Sequence, residues 1–462
     1  MSTQTNPGQQ SEKDYKYAEK AHGDKPGLKS SSDKLVKYGG FKLIAGAIKG
    51  ADGLDPDAKA RRQIFLTDEK KRADREELKH FLNRWMQVLS DHDNVADMIE
   101  NCEKKAVHAG ETLRRNLSTA LEATRELEGA YRSVNLFYKN TEAEKLNNVS
   151  IINASMDQLQ DLDNPVVFET IRDRLTRGYD SMELNDHYSM LLLPGYLGSK
   201  AVVDKWGKMC YDNKVTLITD YQNSETVEYC LADFESEKLQ GGAAHLANVI
   251  MCCNYLVGRG KESEVGEEED VWVAPSVALA GRIYSTTMSQ PAAGKKFGGL
   301  NEVSAVRYSN LKRGELAALD KAGLVPMSDD WGKIHAMSAK TLNSSDNLGM
   351  QTYSVVRTFD YITKTLMDFL NRRAFERWDT ELKMNLKSQI EGWLDKNKGP
   401  GRLIEDFKVV KLEQDKNQKD RIVLDLHITP FFPAKNFVIT LDGMKGDDVT
   451  ESMIWKNNFE QK

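Results

Sequence analysis

Four short apolar runs decide the fold, and they are VSIINAS (residues 149–155), VVFETI (166–171), SMLLLPG (189–195) and VTLITDY (215–221). Each run is bounded by turn residues, and segments with a helix-like pattern lie between the runs. Runs of this length are typical of strands, and their alternation with helices indicates a body that contains both elements. The sequence therefore predicts an α+β (mixed α/β) fold, with an α/β region over residues 146–270.

Further along the chain, the apolar pattern predicts three helices. LQGGAAHLANVIMCCNYLVGRG (239–260) is too long for one strand and predicts a buried helix, and the acidic KESEVGEEED (261–270) predicts a solvated turn. A second helix, within residues 310–330, is expected to stop at Gly323. Apolar residues at helical intervals then predict one long helix from about Tyr353 to Leu394.

Strands are predicted after the breaker KGPG, where the apolar period falls to two. The three predicted strands are FKVVKLEQ, RIVLDLHIT and KNFVITLDG, which would form an antiparallel meander. In the middle strand, one face would carry Ile422, Leu424, Leu426 and Ile428. The open edges of such a meander are suited to strand addition. Together with the long helix, these strands predict a C-terminal domain over residues 271–462.

The N-terminal part combines a polar arm, an apolar island and helical segments. The arm and the island make up residues 1–66, and the polar composition of the first 33 residues predicts flexibility. The apolar island is too small to bury itself and must dock elsewhere; its main residues are Leu35, Val36, Phe41, Leu43 and Ile44. Two segments with helical apolar spacing predict a helical hairpin over residues 67–145.

Composition limits the class of protein. Of the 462 residues, 40% are hydrophobic and 29% are charged, which excludes disorder over the whole chain. No apolar run has the length of a transmembrane helix, and the N-terminus lacks the apolar segment of a secretory signal. The formal net charge of -6 differs from the basic footprint of a nucleic-acid binder. The five scattered cysteines predict buried free thiols in a reducing cytoplasm.

The sequence shows no pattern of an enzyme or of a metal site. The metalloprotease, disulfide-exchange, hydrolase and Walker motifs are absent, and the eight histidines are dispersed. PAAGKKFGG comes nearest to a phosphate loop through Gly294, Lys295 and Lys296, but its spacing differs from that of a Walker motif. We therefore predict no catalytic residue, no metal and no cofactor. A cytoplasmic enzyme with an unrecognised phosphate site at this loop stays an alternative.

The order of elements between Val271 and Leu370 resembles the C-terminal half of contractile tail-sheath proteins. Those chains have a helix that begins with Pro-Ser, a glycine loop, a leucine-rich helix, a strand ending in Thr-Leu and a V-V-R-x-x-D-Y-I helix. The matching residues are Pro275, Ser276, Ala280, Gly281, Ala293, Gly294, Gly299, Leu319, Gly323, Thr341, Leu342, Val356, Arg357, Asp360, Tyr361 and Ile362. Over residues 35–450 the chain resembles the large sheath subunit of type VI secretion systems (the TssC/VipB family). Its KYGGF, IFLTDEKK and NRRAFERW segments are similar to the Bacteroidetes-type branch.

This resemblance implies a structural protein of the cytoplasm without enzymatic activity. The chain would pair with a small sheath subunit (TssB/VipA-like), and the pairs would form a helical sheath around an Hcp-like inner tube. Contraction, triggered at a baseplate, would drive the tube and its effectors into a target cell. A ClpV-like ATPase would disassemble the contracted sheath. The alternative in the same class is a phage-like sheath protein that assembles alone.

Two sets of residues are expected to make the contacts of such an assembly. Contact with the inner tube or a neighbour is expected from the polar face of the long helix, at Arg372, Arg373, Glu376 and Arg377. Strand exchange is expected from the apolar island and from Val423, Leu424, Asp425 and Leu426. The alternatives are a solvated helix face with i, i+4 ion pairs, and a meander and N-terminal segment that stay within one chain.

Overall fold

The protein was examined as a computed structural model, which describes residues 64–142, 146, 148–181, 183–330, 332–435, 438–441 and 457–460. Residues 1–63, which include the apolar island with Leu35, Val36, Phe41, Leu43 and Ile44, lie outside these ranges. The chain divides into two compact units, residues 1–120 and residues 121–462. Helices and strands are both present in the described ranges, and the α+β fold class is confirmed.

The elements have the following bounds. The helices are α1 Arg72–Ser90, α2 Val95–Asn140, α3 Met156–Gln160, α4 Val166–Tyr179, α5 Lys200–Asp212, α6 Val227–Glu237, α7 Pro275–Ser285, α8 Gly294–Phe297, α9 Arg313–Lys321, α10 Tyr353–Asn371 and α11 Thr380–Lys396. The strands are β1 Met190–Leu192, β2 Thr216–Asp220, β3 Val249–Cys253, β4 Leu256–Arg259, β5 Val271–Val273, β6 Leu324–Asp330, β7 Lys333–Ala336, β8 Asp406–Gln414, β9 Ile422–Thr429, β10 Val438–Leu441 and β11 Asn457–Glu460.

The first unit contains α1 and the beginning of α2. The Asn94 side chain caps α2, because its Oδ1 accepts a hydrogen bond from the backbone N–H of Asp97 at 2.9 Å. Apolar residues recur at helical spacing, but several large ones on these helices, such as Phe81, Met86 and Leu113, are exposed. Two helices are therefore present where the sequence predicts them, and their grouping into a hairpin domain stays a prediction.

A five-stranded sheet in the order β1-β2-β3-β6-β7 forms the centre of the second unit. The first four of these strands are parallel, and β7 is antiparallel to β6. Adjacent residues of β2 lie in different cores: Leu217 packs with Trp206 of α5, whereas Ile218 packs with Val277 of α7. The sheet therefore has an apolar core on each face, as expected for a parallel sheet covered by helices.

Only two of the four short runs contain strands. SMLLLPG and VTLITDY contain β1 and β2, as predicted, but VVFETI begins helix α4 and VSIINAS is neither helix nor strand. In α4 the buried residues Phe168, Ile171 and Leu175 recur at helical spacing beyond the end of the run. A six-residue window is too short to show that period, which is why the strand prediction was wrong.

The predicted buried helix at 239–260 was also wrong. A short 3-10 helix, Ala244–Asn248, is followed by β3 and β4. Because β3 is buried on both faces at the centre of the sheet, its residues are continuously apolar, and such a run cannot be distinguished by period from a buried helix. Asn254 ends β3 with a φ of 69°, and its Nδ2 donates hydrogen bonds to two backbone oxygens.

The predicted long helix from Tyr353 to Leu394 is two helices, α10 and α11. Ile362 and Leu366 of α10 pack in the same core cluster as Ile390 and Leu394 of α11. One straight helix would hold these two apolar stripes far apart, whereas a break lets both be buried together. Burial of apolar surface therefore favours two helices.

Among the described residues, the antiparallel strands at the C-terminal end form two pairs and no three-stranded meander. β8 pairs with β9, and β10 pairs with β11. In β9, Leu424, Leu426 and Ile428 pack on the α10–α11 cluster, while Asp425 and His427 are exposed, as predicted. Ile422, which the sequence assigns to the packed face, is instead 37% exposed. The third predicted strand is therefore real, but its described partner comes from further along the chain.

Candidate interaction surfaces

The first candidate surface is the turn between α10 and α11, residues 372–378, which we call the arginine turn. Arg372 is the C-cap of α10, and Asp379 is the N-cap of α11, where its carboxylate accepts a hydrogen bond from Leu382 N–H at 2.9 Å. Asp is a favoured N-cap residue, so the Asp-Thr-Glu sequence at 379–381 was the local signal for a new helix. The apolar spacing continues past this signal and by itself predicts a single helix.

Phe375 lies within the arginine turn and was not singled out from the sequence. Its φ is 68°, in a left-handed region that a bulky side chain rarely adopts. Its aromatic side chain is fully exposed to solvent. A strained backbone that holds a large apolar group in water is characteristic of functional surfaces, because neither feature contributes to the stability of the isolated chain.

The four predicted interface residues lie together on this turn and not along a continuous helix face. Arg372 pairs with Asp368 at 3.0 Å, and Arg373 pairs with Glu376 at 3.3 Å. Arg377 is exposed. Water competes for both partners of the Arg373–Glu376 pair, which is therefore weak, whereas the Asp368 side chain of the other pair is only 13% exposed.

A cleft of about 510 Å³ lies between α10 and α11 next to the arginine turn. Phe369 and Trp393 are its aromatic lining residues, and Asp368, Arg372 and Lys396 are its charged ones. The cleft therefore extends the cationic and aromatic character of the turn along the two helices.

The second candidate surface is the outer edge of β9. Val423, Leu424, Asp425 and Leu426 pair with β8 through one edge of the strand. Among the described residues, no strand pairs with the other edge. A strand directs half of its backbone N–H and C=O groups to each edge, so the groups at this edge can pair with an added strand. The predicted exchange residues of β9 thus lie on an open sheet edge, and those of the apolar island lie outside the described residues.

A set of ion pairs connects α2 to the β4–β5 hairpin, and sequence analysis missed it. Arg259 Nε lies 2.9 Å from Glu128 Oε1 of α2, and Arg259 Nη1 lies 2.7 Å from Glu267 Oε2. We call these three residues the α2 clamp. The Glu267 side chain is only 8% exposed. The acidic stretch 261–270 is therefore partly a structural connection, and its interpretation as a solvated turn was incomplete.

A buried carboxylate joins the sheet to α7. Asp220, at the end of β2, accepts hydrogen bonds from the backbone N–H groups of Gly195 and Ser276, both at 2.8 Å, and from Ser276 Oγ at 2.5 Å. Burial raises the pKa of Asp220 to about 7, although these hydrogen bonds oppose the shift. Ser276 belongs to the Pro-Ser start of α7 on which the resemblance partly rests, so that motif has a structural role here.

Glycines of the resemblance also have structural roles. A Cβ atom on Gly281 would lie 2.6 Å from the backbone oxygen of Phe137, so only glycine lets α2 approach α7 this closely. Gly323 has a φ of 80° and follows the end of α9, where the sequence predicts a stop.

The glycine-lysine loop does not fit a phosphate site. Gly294–Phe297 form a single helical turn, and Lys295 Nζ lies 2.5 Å from a carboxylate oxygen of Asp330. That carboxylate already neutralises the lysine and would repel a phosphate. Within the described ranges, no cluster of three or more His, Cys, Asp or Glu residues could hold a metal ion.

All five cysteines are free thiols, and four of them are buried, as the sequence predicts. Of the helices that the structure describes, none is both long enough and apolar enough to cross a membrane.

Known protein families match the chain in three consecutive regions. The matches are "TssC/VipB-like, N-terminal region" over residues 28–117, "Type VI secretion system TssC/VipB, central domain" over 119–344, and "TssC/VipB-like, C-terminal domain" over 352–461. No curated protein matches the chain.

Several solved structures are similar to part of this chain. The anti-feeding prophage helical sheath in its contracted state has 14% identity and a TM-score of 0.44, over 68% of this chain and 81% of that one. The sheath complex of the extracellular contractile injection system PVC, also contracted, has 12% identity and a TM-score of 0.40, over 54% and 68%. A chain of the anti-feeding prophage baseplate has 16% identity and a TM-score of 0.40; the match covers 54% of this chain and 65% of that one.

Proposed function

The chain belongs to the TssC/VipB family of type VI secretion proteins, and on that premise we propose how it works as a structural subunit of a contractile sheath. It pairs with a small sheath subunit, and the pairs stack as a helix around an inner tube. Contraction of the sheath drives the tube and its effectors into a target cell. The observation that carries this proposal is the ordered match of all three family regions to one chain.

The assembly needs contacts that do not close on themselves. A surface that binds a different surface on the next copy generates a helix, which is the geometry of a sheath. The open edge of β9, with Val423, Leu424, Asp425 and Leu426, is proposed to accept a strand from a neighbouring subunit, donated by the apolar island around Leu35 and Phe41. Main-chain hydrogen bonds of this kind can survive a large rotation of the subunits, so the lattice shortens without dissociating.

The arginine turn is proposed as a second contact, with the inner tube or with a neighbouring subunit. Its exposed guanidinium groups and Phe375 combine charge with an apolar anchor, and Arg is one of the residues most enriched at interface hot spots. These groups are at the end of two helices that are packed into a core, so the contact is held on a rigid support.

The energy for sheath assembly and recycling is supplied by partner proteins and not by this chain. The sheath is assembled in an extended, higher-energy state, a baseplate triggers contraction, and a ClpV-like ATPase recycles the contracted form. In this proposal the chain acts in the cytoplasm and performs no catalysis. The Lys295–Asp330 pair supports this view, because it compensates the charge of one of the two lysines in the glycine-lysine loop and places a carboxylate where a phosphate would lie.

The test is to express the full chain with and without the small subunit encoded next to it, and to examine the lysates by negative-stain electron microscopy. Striated hollow tubes that require both chains are expected. Tubes from this chain alone would replace the proposal with a phage-like sheath that assembles by itself. Discrete soluble particles in both cases would contradict a sheath function.

A further inference from the structure

The arginine turn combines an exposed aromatic side chain with several arginines, and this combination does not stabilise the isolated chain. Phe375 is fully exposed, and its φ of 68° is strained for a residue of its size. Arg372, Arg373 and Arg377 surround it in sequence and are accessible to solvent. A partner for this turn must therefore offer an apolar contact for one aromatic ring, with carboxylates around it.

The exposed face of α6 has the complementary chemistry. Tyr229 is 63% exposed, and it is a large aromatic residue on a helix whose inner face is buried in the sheet core. Around it, the exposed residues are Glu225, Glu228, Ala232, Asp233 and Glu235. Tyr229 and Ala232 are three residues apart, so they are neighbours on one side of the helix. The small Ala232 leaves room next to the Tyr229 ring.

The carboxylates of this face are largely available. Glu225 is 79% exposed and lies 3.9 Å from Arg307, a loose pair. Asp233 accepts a hydrogen bond from the neutral Gln222 side chain at 3.0 Å. A cationic surface placed here would thus meet negative charges that are only weakly compensated, which favours both the rate and the specificity of association.

From this complementarity we propose that the arginine turn of one copy docks on the α6 face of the next copy in the sheath. Phe375 would pack against Tyr229 and Ala232, and the arginines would face Glu228 and Asp233. The two surfaces differ, so the contact propagates from copy to copy and does not close into a dimer. The inference rests on the proposed sheath function and identifies the partner of one of its surfaces.

The contact is small, and its role depends on repetition. One ring and a few ion pairs bury much less than the roughly 1,200–2,000 Å² of a stable protein–protein interface. Many copies held by strand exchange would make each such contact effectively intramolecular, which strengthens weak contacts. We therefore expect no dimer of the isolated chain through this contact.

The first test uses two chains with one introduced cysteine each, and both also carry Cys102→Ser, which removes the native thiol that is not buried and leaves the four buried ones. One carries Phe375→Cys and the other Tyr229→Cys, and both are assembled together with the small subunit before mild oxidation with copper phenanthroline. A disulfide-linked dimer is expected on a non-reducing gel only when both chains are present and assembled. A chain with Val410→Cys, at an exposed position on β8, replaces Tyr229→Cys as the matched control and should give none.

The second test reverses charges on the two surfaces. Arg377→Glu should lower the sedimentable sheath fraction at least severalfold, and adding Glu228→Arg in the same chain should restore it. Wild-type chains that form no tubes would refute the sheath function itself. If wild-type chains form tubes, three results would each overturn this inference alone. They are the absence of the expected crosslink, the failure of Glu228→Arg to restore assembly, and a crosslink between the Phe375→Cys chain and the tube protein.

Discussion

Arg259 of β4 makes a two-bond contact with Glu128 of α2: Nε lies 2.9 Å from Oε1, and Nη2 lies 3.2 Å from Oε2. The residues are far apart in sequence, and the pair fixes the second half of the long helix to a β-hairpin. Because the other side of the guanidinium binds Glu267, one arginine compensates two carboxylates. Its removal would leave Arg132, 2.7 Å from Glu128, and Arg125, 3.4 Å from Glu267, as the remaining cationic partners of the two carboxylates.

Replacing Arg259 by Met should therefore loosen α2 at its contact with the hairpin. Amide hydrogen exchange in residues 121–135 is expected to accelerate roughly tenfold. The reason is that local opening of α2 no longer has to break the ion pairs of Arg259. Lys408→Met, which replaces an exposed lysine on β8, is the matched control and should leave these amides unchanged. Unchanged exchange in the Arg259 variant would show that Arg259 is not needed to hold the helix, which Arg125 and Arg132 also connect to the hairpin through backbone oxygens.

The α2 clamp should also give a distinctive acid dependence. The hydrogen bond from Arg259 is the largest cause that lowers the pKa of Glu267 from 4.5 to about 2. Between these pH values the folded chain binds fewer protons than the unfolded chain, so the contribution to stability is complete above pH 4.5 and is lost as the pH falls toward 2.

Thermal unfolding between pH 6 and pH 2.5 tests this dependence. The Tm of the wild type should fall more steeply over that range than the Tm of Glu267→Gln, which lacks the titrating group. Glu264→Gln, on the same segment, serves as the control and should follow the wild type. Parallel curves for all three proteins would contradict the role of Glu267.

The pH dependence of stability that comes from Asp220 should be opposite to that from Glu267. Burial raises its pKa from 3.8 to about 7, so the folded chain binds more protons than the unfolded chain between these values. Stability from this group is complete below pH 3.8 and is lost as the pH rises through 7. In urea unfolding, Asp220→Asn is expected to flatten this decline between pH 5 and pH 8, and Asp173→Asn, at an exposed position of α4, should not. A wild type that gains stability from Asp220 over this range would refute the assignment.

Reversing Arg372 and Arg373 to Glu should impair sheath assembly with little effect on folding. The Arg372 side chain is itself exposed and the Arg373–Glu376 pair is partly exposed, so the loss of these pairs should lower the Tm by less than about 4 °C. The sedimentable fraction should fall at least severalfold. Lys416→Glu with Lys419→Glu, at the tip of the β8–β9 hairpin, makes the same change of charge elsewhere. Normal assembly of the Arg variant would mean that the turn is only solvated.

The deletion of residues 1–45 addresses strand exchange. The body should still fold and bind the small subunit, because its cores lie in the second unit, but long tubes should not form. Negative-stain microscopy is the measurement. Tubes of normal length would show that the apolar island has no part in the lattice.

Local sequence was sufficient wherever an element carried its own boundary signal. Pro275 marked the start of α7, Gly323 the end of α9, and the two-residue period of β9 gave its packed face correctly except at Ile422, the first residue of the strand. These signals depend on the φ preferences of single residues and on side-chain alternation, both of which act over a few positions. The break between α10 and α11 had such a signal in Asp379, but the apolar stripe on each side outweighed it.

The sequence by itself determined the mixed α+β class, the free thiols and the kinship with sheath proteins, because composition, period and residue order are properties of the chain alone. Only the tertiary structure decided that 249–253 is a central strand, that Arg259 joins Glu128 to Glu267, and that Phe375 projects from a turn. Each of these depends on which distant segments pack together. Packing is set by the total apolar surface and charge that can be buried and compensated at once, and no window of a few residues contains that sum.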